Sequence, residues 1–79
     1  MAHRKLQKGD TQPARCPVEG YRIERRVMGF AYAKSGNADN PTPRFTWFVY
    51  RKADGVLVGV AFRHGRAVEI AEDERRVNG

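Results

Sequence analysis

The sequence predicts a mainly β (α+β) fold: a small antiparallel β-meander of three or four strands, with a short C-terminal helix and a flexible N-terminal arm. Three observations carry that expectation. Polar and apolar residues alternate with period two from Tyr21 onward, Ala53-Asp54-Gly55 has the composition of a tight hairpin turn, and good helix formers gather near the C-terminal end. At 79 residues the chain is one domain at most, because a single core needs roughly 50 to 200 residues. Its core must be small, so pairing with a second copy or with a partner is expected to help hold it.

The elements follow in order. Residues 1–20 have almost no apolar periodicity, contain Gly9, Pro13 and Pro17, and carry Arg4, Lys5, Lys8 and Arg15 against Asp10 and Glu19. They read as a flexible basic arm ahead of a single sheet domain at 21–79. Such an arm either settles along phosphates or is a tail without a role, and the sequence leaves both open.

From Tyr21, the residues Tyr21, Ile23 and Arg25 alternate with Arg22, Glu24 and Arg26. Val27, Met28, Phe30 and Tyr32 then move the apolar set to the other parity beside Gly29. A parity switch at a glycine predicts a bulge in one long strand. The segment "KSGNADNPTP", residues 34–43, is dense in Gly, Asn, Asp and Pro and reads as a long loop.

The second strand is "RFTWFVYRK", residues 44–52, which holds four of the eight aromatic residues between basic ends. Alternation sends Phe45, Trp47, Val49 and Arg51 to one face and Thr46, Phe48, Tyr50 and Lys52 to the other, so both faces carry rings. Two outcomes stay open. Either all the rings are structural, with Trp47 as the core anchor, or one face remains uncovered, leaving Phe48 and Tyr50 beside Arg44, Lys52 and Arg63 to stack on bases or pack on a protein.

A third strand follows at 56–63, with Val56, Val58, Val60 and Phe62 facing one way and Leu57, Gly59 and Ala61 the other. The small residues of that second set leave room for a close neighbour. His64-Gly65 reads as a turn. Beyond it the pattern is ambiguous: Val68 and Ile70 around Glu69 suit a short strand, whereas Ala67, Ile70, Ala71 and Glu74 form one side of a helix. The reading adopted is a brief fourth strand or turn passing into a short helix.

Charge is the firmest compositional signal. Fifteen Lys and Arg against nine Asp and Glu give +6, and the pI is about 10.1. Such a balance favours anionic partners: nucleic acid, an acidic protein surface or anionic lipid. The positive charge is concentrated in the arm and the sheet, with seven basic against three acidic residues through Arg26 and six against three from Val27 to Ile70, while the last nine residues carry net −1. The excess of Arg over Lys suits planar contacts to phosphate or guanine, and a GC-rich genome would produce the same bias.

Chemistry beyond binding has little support. The single Cys16 excludes an internal disulfide and a multi-cysteine zinc site, and predicts a reducing, cytoplasmic setting. The N-terminus lacks an apolar h-region and no run of 18 apolar residues occurs, so neither secretion nor membrane spanning is expected. His3 and His64 are the only histidines, with His3 and Cys16 both in the arm, so no catalytic pair, metal site or cofactor is expected. Glu69, Glu72, Asp73 and Glu74 beside Arg75 and Arg76 read as a solvated helix face with internal ion pairs. Gly55, Gly59 and Gly65 have no phosphate-loop spacing.

Residues 44–52 also fail the RNA-recognition strand signature, since Phe45 stands where Gly is required and Trp47 where a small residue is required. The order of elements resembles the small three-stranded DNA-binding modules at the N-termini of some phage integrases, an architecture shared without a motif.

The functional expectation is therefore a small, basic, non-enzymatic module that binds nucleic acid or a nucleoprotein complex. Phosphate contacts are expected from Arg4, Lys5, Lys8, Arg15, Arg22, Arg25 and Arg26, and stacking or base-edge contacts from Phe48, Tyr50, Arg51 and Arg63, with Arg44 and Lys52 flanking. The alternative is an inhibitor or adaptor of the kind mobile elements encode, anti-CRISPR proteins included, using the same residues on an acidic protein surface. A small structural homodimer is the third.

Overall fold

The structure, a computed structural model, describes residues 6–31 and 42–78. Four antiparallel strands, β1 (Thr11–Ala14), β2 (Tyr21–Ala31), β3 (Thr42–Arg51) and β4 (Leu57–Ala61), form one sheet in the order β1-β2-β3-β4, followed by a single helix, α1 (His64–Asn78). The fold is thus the expected mainly β, α+β meander with a C-terminal helix.

Two elements differ in origin from expectation. The fourth strand lies inside the segment read as an arm. Thr11–Ala14 pairs with β2 in the register Thr11↔Arg26 to Ala14↔Ile23. Pro13 is tolerated there because β1 is an edge strand with no neighbour on its outer side. Just upstream, the Gly9 N–H donates to the Val27 carbonyl at 2.7 Å and the Val27 N–H donates to the Asp10 carbonyl at 2.9 Å. Gly9, with φ 93°, supplies the left-handed turn that this approach requires. Residues 11–20 therefore belong to the sheet domain, and Val18 is part of its core. Arg4 and Lys5 of the predicted arm lie outside the described residues.

The second difference is at the C-terminal end. No strand forms around Val68 and Ile70. The helix starts at His64, where a turn was expected, and runs for 15 residues. Its packed side is the helical set read from the sequence: Ala67 and Ala71 are fully buried, and Ile70 and Glu74 are partly covered. Arg75 and Arg76 in its last turn complement the helix dipole.

The helix needs a shallow seat, and β4 provides it. A methyl group placed on Gly59 would stand 2.6 Å from Cγ2 of Ile70, so only glycine admits α1 at this distance. The core forms between helix and sheet from Val18, Tyr21, Ile23, Val49, Ala61, Ala67 and Ala71, with Trp47, Val58 and Ile70 at its margin. Among these Ile23 and Val49 are essentially inaccessible and face each other across β2 and β3.

Two bulges shape the sheet. The first is the predicted one, a register shift between Val27 and Gly29 that leaves Met28 exposed. The second was not foreseen. Between β3 and β4 the partners pass from Val49↔Gly59 to Tyr50↔Leu57, so Val58 is the extra residue. That shift takes Leu57 off the face of Gly59 and Ala61 and places it with Val60. The β3–β4 turn itself is the expected hairpin, closed by Arg51 N–H to the Val56 carbonyl at 2.9 Å, with Gly55 at φ 71°. Of the predicted 34–43 loop, Thr42 and Pro43 open β3, and the remainder lies outside the described residues. No helix among the described residues is long and apolar enough to cross a membrane.

Candidate nucleic-acid interface

Because α1 covers only one side of the sheet, the other side is uncovered by any described element. Pairing register decides what it displays. β2 contributes Arg22, Glu24 and Arg26; β3 contributes Phe48 and Tyr50, with Thr46 on the same face but buried; β4 contributes Leu57 and Val60. The alternation expected for residues 44–52 is observed. Phe45, Trp47, Val49 and Arg51 share the helix side, and Phe48 and Tyr50 share the open side.

On the open side two arginines lie across two rings. The Arg22 guanidinium carbon is 4.7 Å from the centre of the Tyr50 ring, and that of Arg26 is 4.7 Å from the centre of the Phe48 ring. Both distances fall within cation–π range, where a planar cation shields a ring from water without losing its charge. Glu24 lies between the arginines on β2 and accepts a 2.7 Å hydrogen bond from Arg22. That bond engages the Arg22 guanidinium from a second direction. Beside the rings, Leu57 and Val60 are nearly half exposed, and Phe62 just beyond β4 is 81% exposed.

The other predicted contact residues divide by location. Arg44 pairs across from Gly29, and its register places it on the open side. Lys52 and Arg63 are exposed, at the end of β3 and beyond β4 respectively. None of these three has an ion-pair partner among the described residues. Lys8 and Arg15 are exposed on either side of β1. The Arg15 carbonyl accepts a 2.6 Å bond from His64 Nε2, which ties the end of β1 to the first residue of α1. A carbonyl has no proton to give, so Nε2 carries the hydrogen.

Arg25 and Arg51 lie on the helix side and are engaged within the chain. Arg25 donates to Gln12 Oε1 from Nε at 2.9 Å and from Nη2 at 2.6 Å, and lies 4.3 Å over the Phe45 ring. Arg51 forks onto Asp54, with contacts of 2.8 to 3.1 Å, and reaches Glu74 of α1 at 3.4 Å. The hydrogen bonds from Arg51, and then the one from the Val56 N–H, hold the Asp54 carboxyl below its ordinary value, while the Arg51 value is raised by the same contact. These two arginines join turn, sheet and helix.

A shallow groove of about 580 Å³ runs past the end of β4, lined by Met28, Phe30, Arg44, Thr46, Trp47 and Phe62 among others. It exists because β4 stops at Ala61, opposite Trp47, while β3 continues back to Thr42. No three His, Cys, Asp or Glu side chains among the described residues gather closely enough to hold a metal ion.

Sequence reasoning missed Glu24, Leu57 and Val60 as members of this surface. Glu24 was legible, since its parity puts it between Arg22 and Arg26. Leu57 was not, because its face depends on a bulge at Val58 inside an apolar run, 56–62, where no change of parity marks the shift. The chain matches no protein-family model, no curated protein and no solved structure.

Proposed function

We propose that this chain is a small, basic, non-enzymatic binding module that contacts nucleic acid or a nucleoprotein complex through the open face of its sheet. One observation carries the reading: the Arg22 and Arg26 guanidinium carbons stand 4.7 Å over the Tyr50 and Phe48 rings on a side that α1 does not cover. Rings and planar cations together suit stacking and phosphate contact, and Arg44, Lys52 and Arg63 around them, exposed and without ion-pair partners among the described residues, supply the attraction of a +6 chain for a polyanion.

The charge also argues against self-stacking of this face. A second copy placed on it would oppose arginine to arginine, with Glu24 the one acid that β2, β3 and β4 place on that face. Fluorescence anisotropy with labelled DNA and RNA at two salt concentrations tests the reading. Binding that weakens steeply with salt is expected; salt-insensitive or absent binding to every nucleic acid tried removes it.

A second reading is favoured by Phe62, whose 81% exposure is unusual for a phenylalanine. With Leu57 and Val60 it suits an acidic protein partner with an apolar centre, as for the inhibitors and adaptors of mobile elements. Retention of one specific protein from lysate after nuclease treatment, together with no nucleic-acid binding, would favour it.

A further inference from the structure

We infer that the open face takes single-stranded rather than duplex nucleic acid, with bases turned inward onto the Arg22–Tyr50 and Arg26–Phe48 stacks and phosphates held at the rim. The inference rests on the nucleic-acid reading above and specifies its ligand.

The stacks define what can dock. A guanidinium lying on a ring replaces the ring's outer surface with a second flat surface that still bears charge. A partner with a free planar face can stack on it, whereas a phosphate can meet only its edge N–H groups. In a duplex the base faces are occupied by neighbouring pairs, and a protein reaches edges and phosphates alone. An unpaired strand can splay its bases and offer their faces.

The spacing suits successive bases. Phe48 and Tyr50 are alternate residues of β3 on one face, so their side chains leave the backbone about 7 Å apart. Two neighbouring splayed bases thus have two neighbouring platforms, along a strand that is itself extended.

Polarity supports the same orientation. Glu24 stands between the two arginines, and the exposed Leu57 and Val60 border the rings. A duplex laid here would press phosphates, about one per 1.7 Å of axis, against a carboxylate and two aliphatic side chains. With bases inward, apolar base faces cover Leu57 and Val60, and Glu24 can accept from an exocyclic amino group. The phosphates then reach Arg44 at one end of β3, Lys52 at the other and Arg63 beyond β4, all exposed and without ion-pair partners among the described residues.

The test titrates the full chain into short labelled single strands of DNA and of RNA and into duplexes of the same sequence, over a series of salt concentrations, with the probes compared at the lowest. Single strands are expected to bind about tenfold more tightly or better. In Arg22→Lys and Arg26→Lys the charge stays and the planar surface goes. Single-strand affinity should fall about tenfold for each, while the slope against salt is unchanged. Lys52→Gln should instead reduce that slope by about 0.7. Duplex binding as tight as single-strand binding sinks the inference and leaves the nucleic-acid reading standing. No binding to any of the four probes removes both. The comparison of probes uses the unaltered protein, so it holds even if a variant folds poorly.

Discussion

The guanidinium carbon of Arg26 lies 4.7 Å from the centre of the Phe48 ring, although Phe48 pairs across the sheet with Glu24 and not with Arg26. The arginine therefore leans diagonally along the open face and stands over the ring. Replacing Arg26 with Ala should lower stability by about 0.5–1 kcal/mol, the size of an exposed cation–π contact, measured by urea unfolding. Circular dichroism should be unchanged. A loss of several kcal/mol would place Arg26 in the core and not on a contact surface.

Gly59 and Ile70 set the helix seat. A methyl group at Gly59 meets Cγ2 of Ile70 at 2.6 Å, an atom on a stiff branched side chain. Gly59→Ala is expected to cost about 1–3 kcal/mol by overpacking. Ile70→Ala removes the clashing atoms, so Gly59→Ala combined with Ile70→Ala should cost less than the sum of the single changes. Strict additivity in chemical unfolding would mean that helix and strand do not meet here.

Removal of residues 1–20 deletes β1 and the buried Val18, and uncovers the β1-side edge of β2. Burial of one valine side chain contributes about 1.5–3 kcal/mol. The shortened chain is expected to lose its cooperative thermal transition. A sharp transition near that of the full chain would show that residues 21–79 fold alone.

Asp54 makes part of the stability dependent on pH. Its folded value is lowered by Arg51, so the stabilisation is fully present above the ordinary value of 3.8. It is lost as pH falls through the lowered folded value. Arg51, shifted upward, keeps its charge throughout that range. In Asp54→Asn the fall in melting temperature on acidification should be shallower than in the unaltered protein. The difference should shrink in high salt, because the pair is exposed. Parallel curves for the two proteins would remove this assignment.

Most of the sheet was legible in the sequence because its signals are local. Period-two alternation, the bulge at Gly29 and the turn at Asp54-Gly55 each occupy a few residues and were each found. What escaped depends on distant partners. Thr11–Ala14 contains a proline and no apolar alternation, and becomes a strand because the bare edge of β2 and the turn at Gly9 receive it. Val68 and Ile70 suit a strand by composition, yet the shallow surface of Gly59 and Ala61 rewards a helix. In the candidate site parity set Phe48 and Tyr50 on the face opposite Trp47, while Arg22, Arg26 and Arg44 were named for their charge. Parity alone did not separate the open face from the side under α1, where Arg25 and Arg51 are engaged by Gln12, Asp54 and Glu74.

The most direct test of the proposed interface is a map of backbone amide shifts by nuclear magnetic resonance while a short single-stranded oligonucleotide is added to the labelled protein. Binding through the open face predicts the largest changes at Arg22, Glu24, Arg26, Phe48, Tyr50, Leu57 and Val60, with α1 little affected. Changes concentrated on the exposed side of α1, or none at saturating oligonucleotide, would contradict it.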